Sequence, residues 1–262
     1  MAAFKDHFSG VAGAYAHWRP TYPDALFDAI TAVVPASASV WEPGCGSGQA
    51  TRGLSKRFAH VHATEPSAAQ IEQHWASGEQ GGNVSLAVEQ GETTALPDRI
   101  MDLVAVAQAL HWFDRSRFFA ECERVLRPGG VLAAWTYQDM VFTDALEVAA
   151  DAFRAEIACY WPSERVEVDA GYADYAWPFP ALPAPSLWLT AEWTLPQLLG
   201  YLGSLSATAR CRSASGNDPV ETHAAAITQA WGETAQVRTM RWPLILHLRR
   251  KPLSSEGTAL GL

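Results

Sequence analysis

The chain has 262 residues, 48% hydrophobic and 18% charged, which is the composition of a globular protein and excludes disorder as its general state. Its formal net charge of −9 repels a polyanion, and the longest basic run is only Arg249-Arg250-Lys251, so nucleic acid is not an expected partner. No apolar run approaches the roughly 18 residues of a membrane span, and the opening MAAFKDHFSG lacks the apolar stretch of a signal peptide.

The four cysteines, Cys45, Cys122, Cys159 and Cys211, show no C-x-x-C spacing. Reduced thiols in a cytoplasmic protein without membrane contact are therefore expected, rather than a disulfide framework or a metal knuckle.

Taken in chain order, residues 1–36 are expected to form a helical lead-in. Pro20 and Pro23 break it, and Leu26, Phe27, Ile30, Val33 and Val34 then recur at helical spacing. Short apolar runs alternate with helical stretches beyond. Strands are expected at 38–41, 60–64, 84–88, 101–107 and 131–136, and helices at 51–58, 67–75 and 118–126, the last ending at Arg127-Pro128-Gly129-Gly130. Such alternation builds a mostly parallel sheet with helices on both faces, here over a core of residues 37–137.

The pattern changes in 138–262. Residues 141–157 suit one amphipathic helix. An aromatic and proline-rich stretch from Tyr160 to Pro185 follows, which cannot be a central strand and is expected to be a loop packed on the sheet or a lid. Strands are expected again at 186–194 and 242–249, with two helices between them. The second of these starts with Asp218 as N-cap, Pro219 and Glu221, and runs to Gly232. The expected architecture is thus an α/β, Rossmann-like sheet of seven strands, capped by the N-terminal segment and by the insertion after the fifth strand.

The run Val40-Trp41-Glu42-Pro43-Gly44-Cys45-Gly46-Ser47-Gly48-Gln49 reads as a strand entering a glycine-rich turn that opens a helix. Glycines admit positive φ and let a ligand approach the backbone. Glu65, 21 positions after Gly44, ends the second strand, where a carboxylate can accept from both hydroxyls of a ribose. The spacing is G-x-G-x-G, with Gln49 where a dinucleotide fingerprint needs its third glycine. No Gly-Lys-Ser/Thr follows, so a Walker loop is excluded. An acidic Glu42 before the loop suits an amino or sulfonium ligand better than a diphosphate.

The ordered segments E-P-G-C-G-S-G, A-T-E-P, A-Q-A-L-H-W-F-D and V-L-R-P-G-G-V-L resemble class I S-adenosylmethionine-dependent methyltransferases of the type 11 group. An N-terminal signature, Phe8, Val11, Ala12, Tyr15, Ala16, Arg19, Pro20, Tyr22 and Pro23, is similar to that of trans-aconitate methyltransferase-like enzymes. The resemblance implies S-adenosylmethionine as cofactor. It implies that Gly44, Gly46 and Gly48 pack against its methionine part, that Glu42 helps hold the amino group, and that Glu65 takes the ribose with Pro66 near the adenine. Gly91, Glu92 and Thr93 would border the adenine, Gln108 and Ala109 would line the site, and Tyr15 and Arg19 would close over it. The second acidic residue that family members often carry before Leu-Pro is replaced by Thr94-Ala95.

Methyl transfer from a sulfonium needs proximity and alignment more than a base. His111, just beyond the fourth strand, is the candidate base or substrate contact. Asp114 is expected to cap a helix instead. His60 and His62 share one strand face but lack a third ligand, so no metal site is expected. Arg210 and Arg212 could clamp an anion; solvated arginines are the default.

The expected function is methyl transfer to a small-molecule acceptor, with a carboxylic acid suggested by the trans-aconitate resemblance. A nucleic-acid amino-methyltransferase is rejected, because Ala107-Gln108-Ala109-Leu110 stands where an Asn/Asp-Pro-Pro-aromatic run would be. The alternative from another class is a cofactor-binding protein without transferase activity. Oligomeric state is not legible.

Overall fold

The computed structural model describes residues 20–78 and 81–253. Tyr15 and Arg19, with most of the N-terminal signature, lie outside the described residues. The chain divides into two compact units. Among the described residues, the larger comprises Asp24–Thr136, Asp174–Ser186 and the chain from Ile245 to Leu253; the smaller comprises Pro20–Pro23, Tyr137–Ala173 and Leu187–Leu244.

In the larger unit, α1 (Asp24–Thr31) buries Leu26, Phe27 and Ile30, the stripe its periodicity announces. The strands are β1 (Ser39–Pro43), β2 (His60–Thr64), β3 (Val84–Ala87), β4 (Met101–Ala107) and β5 (Leu126–Tyr137), interleaved with α2 (Thr51–Ser55), α3 (Ala68–Ser77) and α4 (Arg115–Val125). β1 pairs in parallel with both β2 and β4, β2 with β3, and β4 with β5. The chain therefore leaves β1 in one direction for β2 and β3, then returns to its other side for β4 and β5. That reversal is a topological switch point, and the crevice outside the carboxyl ends of β1 and β4 is where such sheets hold ligands.

Burial explains why β4 takes the centre. Leu103, Val104, Ala105 and Val106 are all fully buried, the continuous apolar run of a strand covered on both faces. Each full-sized side chain among them contributes about 1.5–3 kcal/mol by leaving water. A charge introduced at Leu103 would have no partner and would break the strand's packing.

The smaller unit holds α5 (Asp144–Ile157), α6 (Arg165–Asp169), β7 (Leu187–Trp193), α7 (Leu195–Gly203), α8 (Ser206–Ser215) and α9 (Pro219–Trp231). Two helix starts are well capped, the second of them as expected. Thr194 and Gln197 form a capping box on α7. Asp218 accepts from Val220 N at 2.9 Å with Pro219 behind it, and Gly232 stops α9 at φ 88°. β8 (Arg238–Arg250) runs through both units: Arg238–Leu244 pairs antiparallel with β7, and Leu248 and Arg249 pair with the short β6 (Ala181–Leu182). The sheet order is β3-β2-β1-β4-β5-β8-β6, with β7 also on β8.

Several expectations need correction. Among the described residues the sheet has eight strands, not seven, because two residues of the proline-rich stretch pair at its edge, where missing ladder donors are tolerated. That stretch also contains α6, so it is not loop throughout. β5 begins at Leu126 and includes the Arg-Pro-Gly-Gly run; a register shift from Met101↔Leu126 to Leu103↔Val131 absorbs it. α2 stops at Ser55, and single turn bonds carry the chain on to Phe58. A third helix, α8, stands between α7 and α9. Its sequence SATARCRSAS has few apolar residues and no side-chain cap, which hides it from periodicity.

Candidate cofactor and active site

The carboxyl end of β1 delivers the glycine turn. Gly44, Gly46 and Gly48 sit at φ 71°, 53° and 86°, where other residues are strained. Gly44 N and Cys45 N both donate to Thr64 O, at 2.7 and 3.0 Å, which ties the turn to the end of β2. Close packing adds a second requirement for glycine. A Cβ at Gly44 would lie 2.8 Å from the Ala109 methyl, and one at Gly48 only 2.2 Å from His74 Nε2.

Glu65 is the group that joins the turn to β2. It is buried, and its two oxygens accept from different backbone donors: Gly46 N at 3.2 Å and Ser67 N at 3.2 Å. Its position is thus set from both sides. Pro66 follows, half-buried.

Glu42 is fully enclosed, and neither carboxylate oxygen has a hydrogen-bond partner among the described residues. Burial pushes its pKa up to about 8; Thr51 and the Arg52 charge offset this only in part. A carboxyl in this state ionises readily only when a positive charge comes near. The same burial, with the Glu42 and Glu65 charges, drives the Cys45 thiol well above its ordinary range, so it is no nucleophile at neutral pH. His74, wholly buried behind Gly48, is lowered to about 4 by burial and then by Arg52 and is neutral.

The end of β4 forms the other lip. Gln108 is held at φ 52°, an uncommon conformation for a side-chain-bearing residue, and its Oε1 accepts from Thr136 Oγ1 at 2.8 Å. The 3-10 turn Leu110–Trp112 follows, with the His111 ring tilted by 48° against Trp112 at 4.6 Å between ring centroids. Phe113 then wedges between two glycines: a Cβ at Gly91 would fall 2.9 Å from its ring and one at Gly44 3.2 Å. Asp114 caps α4 by accepting from Arg117 N at 3.2 Å, as expected.

The segment after β3 is clamped to α4. Glu92 Oε1 accepts from Asp114 N at 2.7 Å, so its carboxylate is engaged at the helix start, and the Thr93 hydroxyl donates to Glu92 O. Arg124 pairs with Glu121 at 2.7 Å and donates to Leu96 O and Thr94 O, while Glu121 accepts from Thr94 N. Thr94 donates to Glu89 Oε2 at 2.6 Å.

Gly44, Gly46, Gly48, Glu65, Gly91, Gln108 and Ala109 therefore gather around one switch point. Elsewhere, His62 is satisfied by Ser85 at 2.8 Å, and Arg212 is taken up by Asp218 at 2.8 Å and Gly203 O.

Residues 41–134 match the methyltransferase domain family. A Dictyostelium discoideum protein named as a methyltransferase is 31% identical over 256 residues, 95% of this chain and 96% of that one. This chain belongs to the methyltransferase family.

The solved structure of an Anaeromyxobacter dehalogenans protein described as a type II methyltransferase superposes on the methyltransferase with a TM-score of 0.82. It shares 40% identity and covers 89% of this chain and 99% of that one. A Mycobacterium tuberculosis methyltransferase is 38% identical over 134 residues, half of this chain and 53% of its own length. The methyltransferase is of the S-adenosylmethionine-dependent kind. No helix among its described residues is long and apolar enough to cross a membrane.

Sequence reasoning missed two residues of this site, His74 and Phe113. Both act by filling the space a glycine leaves, and only Phe113 had a signal, its place inside the H-W-F-D run.

Proposed function

We propose that this methyltransferase transfers a methyl group from S-adenosylmethionine to a small molecule, with a small carboxylic acid as the favoured acceptor class. The observation that carries the reading is Glu65, a buried carboxylate fixed by Gly46 N and Ser67 N at the edge of a positive-φ glycine turn. Glu42 supports the fit: a buried carboxyl with no partner among the described residues is suited to a cationic ligand and unsuited to a diphosphate.

When bound, S-adenosylmethionine supplies a methyl group on a sulfonium whose departure leaves a neutral thioether. The chain's contribution is placement. Glu65 would accept from the ribose hydroxyls, and Gly44, Gly46 and Gly48 would leave room for the methionine part. Glu42, ionised by a nearby positive charge, would lend negative charge to the site, and Pro66, Glu92 and Thr93 would border the adenine. Gln108 and Ala109 would line the site past β4, and the family resemblance would have Tyr15 and Arg19, outside the described residues, close over the cofactor. His111 contacts the acceptor or serves as base only where the nucleophile must lose a proton. An ionised carboxylate needs no base, so proximity and exclusion of water do most of the catalysis.

The test is transfer of a radiolabelled methyl group to panels of small carboxylic acids, amines and phenols, with DNA and RNA as controls. The proposal predicts a base-labile methyl ester from the acids and no label on nucleic acid. Label on nucleic acid alone, or on amines alone, would refute the acceptor class.

A further inference from the structure

The smaller unit contains a surface groove of about 440 Å³, lined by residues of the 141–146 segment, of β7 and of the start of β8. Its volume lies within the roughly 300–1,000 Å³ of small-molecule sites. We propose that this groove binds a small organic anion with a flat apolar body, such as an aromatic carboxylate.

Three observations lead there. The floor is apolar: Phe142, Leu146 and Met240 are buried core residues whose surfaces border the groove. The rim is cationic and aromatic. Arg241 is exposed, and its guanidinium carbon lies 4.6 Å from the centre of the Trp188 ring, itself 40% exposed. Finally, among the described residues no acidic side chain lines the groove in a chain whose net charge is −9, whereas two arginines, Arg238 and Arg241, do.

The two rim groups are used differently by the fold. Arg238 stacks on Trp231 and donates to its carbonyl oxygen at 2.6 Å, so its head is engaged. The Arg241 side chain has the Trp188 ring as its neighbour and forms no ion pair among the described residues. The Trp188 ring supports the guanidinium of this exposed side chain, and a guanidinium fork can take a carboxylate in two parallel hydrogen bonds. Most of the side-chain entropy cost is met before a ligand arrives. The walls are also held. Val141 N donates to Arg241 O at 2.8 Å, Gln138 N donates to Pro243 O at 3.0 Å, and Glu147 is occupied by Phe142 N and Arg154. This inference goes beyond the methyl-transfer reading and does not rest on it.

The test is calorimetric titration with 2-naphthoate and its neutral counterpart 2-naphthamide. Both rim side chains are exposed, so Arg241→Gln and Trp188→Phe should melt within about 2 °C of wild type. The proposal predicts saturable 2-naphthoate binding, weakened at least about tenfold by Arg241→Gln, with 2-naphthamide binding at least about tenfold weaker and indifferent to that change. Glu65→Ala should leave it unchanged. Equal binding of the two probes, no saturable binding, or loss of binding on Glu65→Ala but not on Arg241→Gln would each overturn it; the last would locate the anion at the cofactor site instead.

Discussion

Gly48→Ala tests the physical account of the glycine turn, because two separable costs meet there. The residue sits at φ 86°, and an added Cβ would lie 2.2 Å from His74 Nε2. Left-handed strain costs an L-residue roughly 1–2 kcal/mol. Forcing a methyl into a packed site costs about 1–3 kcal/mol more. The single variant should therefore lose about 2–5 kcal/mol. His74→Ala removes the obstacle but not the strain, so in that background the same substitution should cost only about 1–2 kcal/mol. The difference is a coupling of about 1–3 kcal/mol, within the range that contacting residues show in double-mutant cycles. Urea denaturation of the four proteins, read at constant m-value, measures every corner of the cycle. A cost for Gly48→Ala below about 0.5 kcal/mol, or one that is the same with and without His74, would refute the reasoning.

Glu42 and Arg124 make two further predictions. The Glu42 carboxyl holds its proton up to about pH 8 in the folded chain and only to about 4.5 otherwise, so the native state binds more protons in between. Stability from this group is fully present below pH 4.5 and falls as pH rises toward 8, by at most about 5 kcal/mol. Glu42→Gln should flatten that decline in a pH series of denaturation midpoints; an unchanged slope would contradict the burial argument. Arg124→Ala frees the loop after β3, which it holds through Leu96 O, Thr94 O and Asp98. A loss of about 1–3 kcal/mol is expected, with a raised KM for S-adenosylmethionine. Arg124→Lys should rescue only in part, since an ammonium cannot reproduce the guanidinium fork; steady-state kinetics and melting of both variants decide it.

What was legible in the sequence was what local chemistry decides. The parallel strands announced themselves by continuous apolar runs, and α9 by its Asp-Pro start and glycine stop. The turn from Gly44 to Gly48 and the acid at Glu65 stand out because strand ends and glycine spacing are written in contiguous residues. His74 was not legible: its role depends on α3 lying against the turn, and at its own position it reads as a histidine on a polar helix. The strand through Pro128-Gly129-Gly130 was hidden for a related reason, because the irregular register of β4 and β5 permits it rather than its own composition. Glu92 looked like an adenine contact, and the structure adds that its carboxylate already serves Asp114 N. The smaller unit was least legible, since α8 has little amphipathicity and β8 begins with the polar residues Arg238 and Thr239.

Isothermal titration of S-adenosylmethionine into the wild-type chain and into Glu65→Ala, with NAD as control, tests the central claim most directly. The account predicts saturable binding of S-adenosylmethionine and none of NAD. It also predicts a loss of about 1–3 kcal/mol on Glu65→Ala, the cost of orphaned hydroxyl contacts. Binding of equal strength by both proteins would contradict the assignment of Glu65, and no binding by wild type would contradict the cofactor site itself.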